Sequence, residues 1–553
     1  MKKCLLPVII LAASYISASA QSTYGQVYSI FQTSCAFSSC HSGSQAKANL
    51  DLVGEGATLQ AKMQDVYSNL FNAEPDNGFA KQEKLKRVFP GHPYKSFLFK
   101  KINNGLQPDV TLHTQEGSSM PENGTPLEDE KIELIRQWIL MGAPETGNVA
   151  DTNLIRRYYN GEGFRPLSTI PAPPSPSQGF QIHLGPFFVE PAGQGQGEVE
   201  YFSKYDPQLE NDIEVTRVET HMGEGYSHHF ILFHYLNGMD NQRPYGLRKA
   251  NAHFYTEFVV ANQEPDTVQL PHNTAFPWEA GSKLDLNTHY INYSASRVMA
   301  CDVYINIFTQ PSGTAEHTMY TALQANTSIN IPNDGTEHTF SQAVRDASSQ
   351  QNIFMWALSS HTHKYGTDYD IFERLPNGDR GTHIFDASCP GGIPGCTGGS
   401  YDYQHPPVMY FEPLKELDIK NGLIHEAKYI NTGPAPVGWG ETSDDEMMVL
   451  LMMYTLDTAG IRYTGIKETN SALGIKVFPN PVNQNLSLVF SEIPNETSAI
   501  RIYNVLGKEM RTEEIQAGQK EHIISAASLP PGFYFFNINN HSGGELTGKF
   551  LKR

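Results

Sequence analysis

The sequence predicts a multidomain protein in which a small all-α domain is followed by two all-β sandwiches and a small β-sandwich. Its 553 residues exceed the size of one domain. Apolar residues recur at helical spacing near the start, whereas short β-type runs broken by Gly, Pro, Asn and Asp fill the chain from about 180 to 465. A Pro/Ser-rich stretch and a polar stretch around KETNSALG separate these regions. The predicted boundaries are 1–20 for a leader, 21–148 for the α domain, 149–179 for a linker, 180–308 and 309–465 for the sandwiches, and 473–553 for the last module.

The first twenty residues have the pattern of a secretory signal peptide. Lys2 and Lys3 precede a short apolar run, and Ala18-Ser19-Ala20 forms a small-residue cleavage site. No segment reaches the roughly 18 apolar residues of a membrane span. The formal charge of −19 argues against nucleic acid and anionic membrane surfaces as partners. We therefore expect an exported protein without a membrane span.

Two amphipathic helices are predicted in the α domain. The first contains the apolar residues Tyr24, Val27, Tyr28 and Phe31 and ends just before SCAFSSCHSG. The second lies in TPLEDEKIELIRQWILMGA, where Thr125 as N-cap and Glu128 form a predicted capping box. Its apolar face consists of Ile132, Ile135, Trp138 and Ile139.

The cysteines indicate more than one role. Removal of Cys4 with the leader leaves an odd number in an oxidising compartment, so at least one thiol is unpaired or has another function. Cys389 and Cys396, in CPGGIPGC, are predicted to close a loop. Cys301 is then a buried thiol, unless it pairs with one of them.

The segment CAFSSCH offers two alternatives. A disulfide between Cys35 and Cys40 is one. The other is covalent haem attachment, for which C-x-x-C-H is the usual pattern and the longer spacer here is a departure. Together with VFPGHPYKSFLFKKI and the Met-Pro before the last helix, the segment resembles bacterial cytochrome c domains. The resemblance implies haem c bonded to Cys35 and Cys40, with His41 and Met120 as axial ligands and His92 and His113 as substitutes. We favour the haem.

Histidine pairs occur on predicted strands of the β region, which include HHFILFHY, LDLNTHYINYS, CDVYINIFT, NIFMWALSS and MMVLLMMYT. Residues i and i+2 of a strand share a face, so His361 and His363 would point to one metal. The adjacent His228 and His229 would do so only near a strand end or a bulge. His289 would complete one site and Met447 the other. Imidazoles suit copper, zinc, iron or nickel, and a thioether favours Cu(I).

Most of the other histidines have a simpler interpretation. A single histidine on a strand is usually a satisfied core or surface residue, which is our prediction for His183, His253, His317 and His425. His221 and His234 flank the first pair without being predicted ligands. Methionines in an apolar strand usually serve packing, and this alternative applies to Met447 as well.

The order HH, HY, HTH and DEMM resembles the copper type II ascorbate-dependent monooxygenases, the family of dopamine β-hydroxylase and peptidylglycine α-hydroxylating monooxygenase. The resemblance covers roughly 180–460 and implies two jelly-roll domains with one copper each, separated across a solvent-filled cleft. His228, His229 and His289 would hold the electron-storing copper. His361, His363 and Met447 would hold the copper at which O₂ reacts with a substrate C–H bond. Ser359, Val449 and Leu451 replace the Arg, Asn and Tyr of peptide-amidating members, so we do not expect peptide amidation.

The last blocks of the chain, IKVFPNPVNQNLSLVF, IRIYNVLGKEM, SLPPGFYFFNI and the terminal GKFLKR, resemble the type IX secretion C-terminal sorting domain. A carbohydrate-binding β-sandwich is the alternative. The resemblance implies that the type IX machinery carries the protein across the outer membrane to the cell surface or the medium.

Together these features predict a secreted copper monooxygenase that hydroxylates a small organic substrate with O₂. Its electrons would come through the haem domain, from ascorbate or from a redox protein. Two alternatives use the same residues. One is a non-catalytic surface protein that binds through the double sandwich, and the other is a haem/copper electron-transfer protein.

Overall fold

The computed structural model describes residues 22–193, 197–236, 239–240, 243–249, 256–262, 265–440, 445–461, 475–478, 482–490, 497–504, 508–539 and 545–552. The chain divides into two compact units, residues 1–463 and 464–553. The predicted signal peptide, 1–20 with Cys4, lies outside the described residues. The architecture is multidomain and rich in β-structure, as the sequence predicts.

The start of the larger unit is helical and has its own apolar core. Tyr24 of the first helix stacks on Trp138 of the fifth, with ring centroids 5.4 Å apart, and Val27, Phe31 and Ile135 are buried beside them. The helices are α1 Thr23–Ser34, α2 Leu59–Leu70, α3 Gly78–Gln82, α4 Phe97–Ile102, α5 Asp129–Leu140 and α6 Thr152–Arg157.

Two local predictions in this region are wrong. Helix α5 begins at Asp129, with an extended Glu128 as N-cap that makes no side-chain cap hydrogen bond, so the capping box at Thr125 does not form. The extended chain buries Leu127 in the helical core, and Asp129 and Glu130 in the first turn favour the helix dipole. The segment 149–179 is more than a linker. It contains α6, which buries Leu154, and strand β1 (Gly163–Phe164).

The first sandwich consists of two facing sheets. One has the order β1-β11-β4-β9-β12, with β2 also on β11 and β8 also on β4. The other has the order β6-β3-β10-β5-β7. The strands are β2 Gly179–Val189, β3 Glu198–Tyr205, β4 Ile213–His221, β5 Ser227–Tyr235, β6 Leu247–Arg248, β7 Thr256–Asn262, β8 Asp266–Gln269, β9 Thr274–Trp278, β10 Leu284–Ile291, β11 Val298–Pro311 and β12 His317–Thr318.

The second sandwich has sheets of order β13-β22-β16-β19 and β15-β20-β17-β18, with a short β14-β21 pair. The predicted disulfide between Cys389 and Cys396 is present, and Cys301 is a buried free thiol. The strands are β13 Tyr320–Ala325, β14 Asn330–Ile331, β15 Glu337–Val344, β16 Asn352–His361, β17 Gly366–Arg374, β18 Arg380–Asp386, β19 Met409–Asp418, β20 Leu423–Ile430, β21 Val437–Gly438 and β22 Val449–Thr455.

The smaller unit is a two-sheet β module. Its sheets have the orders β23-β24-β27 and β26-β25-β28-β29, and their alternating residues enclose a core that includes Leu486, Leu488, Ile500 and Phe536. The strands are β23 Ile475–Phe478, β24 Asn485–Phe490, β25 Ser498–Asn504, β26 Glu509–Ile515, β27 Glu521–Ser525, β28 Gly532–Asn539 and β29 Glu545–Lys552. Among the described residues, no helix has the length and apolarity needed to cross a membrane.

Candidate metal centre

A β-bulge brings the first three predicted ligands together. On strands β10 and β5, His289 pairs with His229 but Tyr290 pairs with Ser227, so His228 is an extra residue in β5. The bulge allows the adjacent side chains of His228 and His229 both to approach His289. The sequence predicted that the two histidines could share a metal only at such a bulge or at a strand end. The ring of His289 lies 4.6 Å from that of His228 and 5.0 Å from that of His229. One nitrogen from each ring lies within 4.8 Å of the others.

Neighbouring side chains orient these rings. The Nε2 of His289 lies 2.6 Å from a carboxylate oxygen of Glu198, and the Nε2 of His229 lies 2.7 Å from Oδ1 of Asn287. Histidines that bind metals usually donate their second nitrogen to such an oxygen, which fixes the ring. The Nδ1 atoms of His228 and His289 face each other at 3.1 Å. This donor set fits a metal bound through Nδ1 nitrogens.

The protonation state also suits metal binding. Burial, together with the nearby His229 and His289, lowers the pKa of His228 to about 3. Its imidazole is therefore neutral at neutral pH and has a lone pair for a metal. Burial raises the pKa of Glu200, but the hydrogen bonds from His229 and Asn287 and the electrostatic interactions with His229 and His289 together outweigh burial and bring the pKa to about 2. A negative carboxylate thus lies beside the histidines.

The second predicted pair lies at the end of strand β16 and not within it. His361 is the last residue of β16 and His363 follows the strand, so the prediction of a regular strand through both residues is wrong. The buried Glu446 carboxylate accepts the backbone N–H groups of His363 at 2.9 Å and Tyr365 at 2.7 Å, which directs the chain out of the sheet. The two imidazole centroids nevertheless lie 5.1 Å apart.

Met447 is brought to the same end of the sheet. It lies two residues before Val449, which opens β22 and pairs with His361. The Met447 carbonyl accepts a hydrogen bond of 2.7 Å from the Tyr429 hydroxyl, and its N–H donates to Glu446. The Nδ1 of His363 lies 2.9 Å from the Asp445 carbonyl oxygen. Two imidazoles and a thioether therefore line the same cavity at this end of the sheet, a donor set that fits copper.

Both groups line a single cavity of about 590 Å³. The two sandwiches share an apolar cluster that includes Phe258, Trp356 and Met453. Burial lowers the pKa of His361 well below its usual range, with contributions from His363 and then from His229 and His228 across the cavity. The described wall is mainly apolar, with Lys364 as its one Lys or Arg side chain.

The positions that differ from peptide-amidating enzymes lie in this wall. Ser359, Val449 and Leu451 all line the cavity, and the Ser359 hydroxyl donates to the Pro407 carbonyl at 2.9 Å. An uncharged group and two aliphatic groups give a substrate carboxylate no cation to pair with at these positions. The sequence-based exclusion of peptide amidation stays a prediction.

The predicted haem residues lie close together in the helical region. Cys35 follows α1, and both Cys35 and Cys40 are free thiols. The His41 Nδ1 lies 3.1 Å from the Leu50 carbonyl oxygen, and Cys35 and Met120 pack against the same apolar core. An ion pair of 2.9 Å between Lys47 and Glu122 joins the two segments. Two thiols, an imidazole and a thioether form a donor set that fits haem c.

The substitute haem ligands are engaged elsewhere. His92 is buried and packs on the rings of Phe89, Tyr205 and Tyr245, and His113 stacks on Phe79. His425 is a satisfied core residue, as predicted, because Tyr369 and Gln342 contact its two nitrogens. His317 contacts the Ala459 carbonyl oxygen, and His253 lies outside the described residues.

Sequence reasoning missed several polar residues. Glu198, Glu200 and Asn287 contact the first histidine group, and alternation along GEVEYF and LDLNTHY was the available signal. A further group, Asp370, His383 and Asp386, lies on the β17–β18 hairpin. There the Nε2 of His383 is 2.8 Å from a carboxylate oxygen of Asp370.

Residues 476–553 match the family described as the secretion system C-terminal sorting domain. This confirms the predicted tail, and the protein is exported to the cell surface or the medium by type IX secretion. No curated protein is similar enough to this chain to count as a match.

Several solved structures are similar to parts of the chain. An immunoglobulin-like β-sandwich protein of the DUF3244 family from Bacteroides vulgatus is 28% identical, over 14% of this chain and 84% of its own, with a TM-score of 0.13. A β-glucuronidase from Ruminococcus gnavus is 8% identical over 39% of this chain and 34% of its own, with a TM-score of 0.17. A β-1,2-glucanase from Parabacteroides distasonis is 10% identical, with corresponding values of 42%, 35% and 0.12. The chain spans about a third of the length of these two glycosidases.

Proposed function

We propose that the protein is a secreted copper monooxygenase that hydroxylates a C–H bond of a small organic substrate with O₂. One observation carries the proposal: a three-imidazole group and a group of two imidazoles and a thioether line the same cavity. Nitrogen and thioether donors together suit a metal that alternates between Cu(I) and Cu(II). Bound copper would supply the one-electron chemistry with O₂ that hydroxylation requires.

The chain's own residues perform three tasks in this proposal. His228, His229 and His289 hold one copper, and Glu198 and Asn287 fix the orientation of two of these rings. His361, His363 and Met447 hold the other. The apolar wall binds the substrate beside the second group and limits the access of water to it.

A haem bound by Cys35, Cys40, His41 and Met120 would supply electrons from inside the same chain. The packing of Cys35 and Met120 against one core supports this part of the proposal. An external reductant, ascorbate or a redox protein, would then reduce the haem.

The test is the copper content of the full-length exported protein, measured by mass spectrometry after removal of loosely bound metal. We expect two coppers per chain, and one each in His228→Ala and His361→Ala. Met447→Ala should retain Cu(II) at the second group but bind Cu(I) more weakly, because the thioether is the soft ligand. His272→Ala changes an exposed histidine and should retain both coppers.

The copper content of the wild-type protein and its variants distinguishes the monooxygenase from the binding protein and the electron-transfer protein. A wild-type content of one copper or none, unchanged by these substitutions, would contradict the monooxygenase and favour a binding protein. Two coppers without O₂ consumption across a panel of apolar substrates would favour electron transfer. We also expect covalently bound haem that is lost in Cys35→Ala and kept in Cys301→Ala. This result would support the proposal that the haem supplies the electrons.

A further inference from the structure

We propose that the buried contact between the helical region and the first sandwich is the route by which electrons reach the first histidine group. Tyr94, His183 and Tyr290 are the residues that form this route. The inference rests on the proposed function, because it requires haem at one end and copper at the other. It adds a path and a direction, with electrons entering at His289 and not at the second group.

The route begins beside the predicted axial ligand Met120. The Met120 backbone N–H donates to the Lys101 carbonyl at 2.7 Å, which ties the ligand segment to helix α4. Two residues earlier on α4, the buried Phe99 ring lies edge-on to Tyr94, with centroids 5.7 Å apart. Tyr94 lies at the surface of the helical region that faces the sandwich.

An aromatic stack crosses from the helical region to the sandwich. The Tyr94 ring lies on the His183 imidazole of strand β2, with centroids 4.4 Å apart and planes 6° from parallel. Tyr304 of strand β11 covers the other face of His183 at 3.8 Å. The His183 side chain is only 7% exposed. The crossing is therefore made by stacked π systems shielded from water.

Hydrogen bonds continue the route to the first histidine group. The His183 Nε2 lies 2.7 Å from the Asp302 carboxylate, and the Asp302 backbone carbonyl accepts a 2.6 Å hydrogen bond from the Tyr290 hydroxyl. Tyr290 directly follows His289 in strand β10. Electron tunnelling decays less steeply through covalent and hydrogen bonds than through empty space, so this chain of contacts is an efficient path.

The contact is also fixed in place. Buried polar groups of the helical region find their partners on the sandwich. Gln107 donates to the Tyr304 hydroxyl at 2.9 Å, and Gln137 donates to the Pro186 carbonyl at 2.6 Å. Separation would leave these buried groups without partners. The route is thus present all the time and does not depend on a chance encounter of tethered domains.

Each passage transfers one electron. A haem held by Cys35, Cys40, His41 and Met120 would give up one electron in each passage, and a copper held by His228, His229 and His289 would accept it. No proton or residue is consumed along the route. Two passages supply the two electrons that one hydroxylation needs.

The test measures the transfer itself, without substrate or O₂. The fully loaded, oxidised protein is reduced at the haem by a flash-activated ruthenium dye, and haem absorbance then reports the loss of that electron to copper. Tyr290→Phe keeps the ring but removes the hydroxyl that donates to Asp302, and we expect transfer to be slower by about tenfold or more. Tyr94→Leu, which removes the stacked ring, should have a similar effect. Haem and copper reduction potentials should not change in Tyr290→Phe.

The matched control is Tyr67→Phe, which also removes a tyrosine hydroxyl that donates to a backbone carbonyl, that of Ala143 at 3.0 Å, but lies off the proposed route. It should transfer electrons at the wild-type rate. If Tyr290→Phe and Tyr94→Leu also transfer at that rate, the route is overturned while the proposed function stands. If the isolated protein contains no haem or no copper, the route and the corresponding part of the proposed function are both overturned.

Discussion

The carboxylate of Glu446 joins the two chain segments that carry the second metal group. It accepts N–H groups from His363, Tyr365 and Met447, and its side chain is fully buried. Burial raises the pKa of Glu446 to about 7, although these three donors act in the opposite direction. One side chain therefore sets the backbone positions of a histidine ligand and of the methionine ligand.

Glu446→Gln should weaken Cu(I) binding at the second group alone. The glutamine amide has the size of the carboxylate. Its NH₂ group, however, would face backbone N–H groups that donate to a carboxylate oxygen in the wild-type protein. Loss of such buried hydrogen bonds costs about 1–3 kcal/mol, which corresponds to a loss of affinity of about 5- to 150-fold. Competition titration with a Cu(I) chelator measures the effect, and Glu337→Gln on the surface of strand β15 is the control. Equal affinities in both variants would contradict the role of Glu446.

At the level of single residues, the sequence predicted the candidate ligands but not their supporting groups. Histidine and methionine are recognisable because few residue types bind copper, and their spacing along predicted strands was informative. Glu198, Asn287 and Glu446 act through positions on neighbouring strands or loops. Which residues lie opposite one another depends on strand register, and that register is a property of the folded sheet.

Three strands of the second sandwich are joined through one neutral histidine. His425 on β20 contacts the Tyr369 hydroxyl on β17 at 2.6 Å and the Gln342 amide oxygen on β15 at 3.0 Å. Burial lowers its pKa to about 4, so the ring is neutral in the folded protein at neutral pH. The unfolded chain, with an ordinary histidine pKa, binds the proton more readily.

Acid should therefore destabilise this sandwich through His425. Because the folded pKa lies below the unfolded value, stability is lost as the pH falls from about 6.5 towards 4, by at most about 3 kcal/mol from this residue. Urea unfolding at pH 7, 5.5 and 4 measures the loss. His425→Gln should flatten this dependence, and the exposed His272→Gln should not. If the unfolding free energy of His425→Gln falls with pH as steeply as that of the wild-type protein, this role of His425 is contradicted.

Most of the helices and strands that the sequence predicted are present in the structure, with few exceptions. Each of the five quoted β-type runs forms a strand over most of its length, because alternation and β-branched or aromatic residues match a pleated sheet. The start of α5 was not predictable, because burial of Leu127 outweighs a local capping signal. The helix α6 was missed because six residues are too few for a clear periodicity.

At the scale of the whole chain, the helical region and both sandwiches belong to one compact unit, whereas residues 464–553 form another. The apolar cluster that contains Phe258, Trp356 and Met453 spans the two sandwiches. Composition predicted separate domains here, but only the folded chain reveals which of their surfaces are buried against each other.

Truncation after Tyr463 should leave the larger unit intact. Such a chain retains every proposed ligand and the shared core, so its melting temperature and copper content should equal those of the full-length protein. Truncation after Pro311 is the contrasting case, because it uncovers the shared cluster and should lower the melting temperature or cause aggregation. A marked loss of stability in the first truncation would show that the smaller unit supports the fold.

The bulge at His228 has a consequence for inherited variation. It is one residue long, so loss of a single codon at this point would restore an unbroken strand pairing and abolish the convergence of two neighbouring imidazoles. Such a gene would encode a well-folded chain with one histidine fewer at the cavity. Relatives that lack the proposed copper site should therefore be recognisable by this deletion, even where every strand around it is preserved.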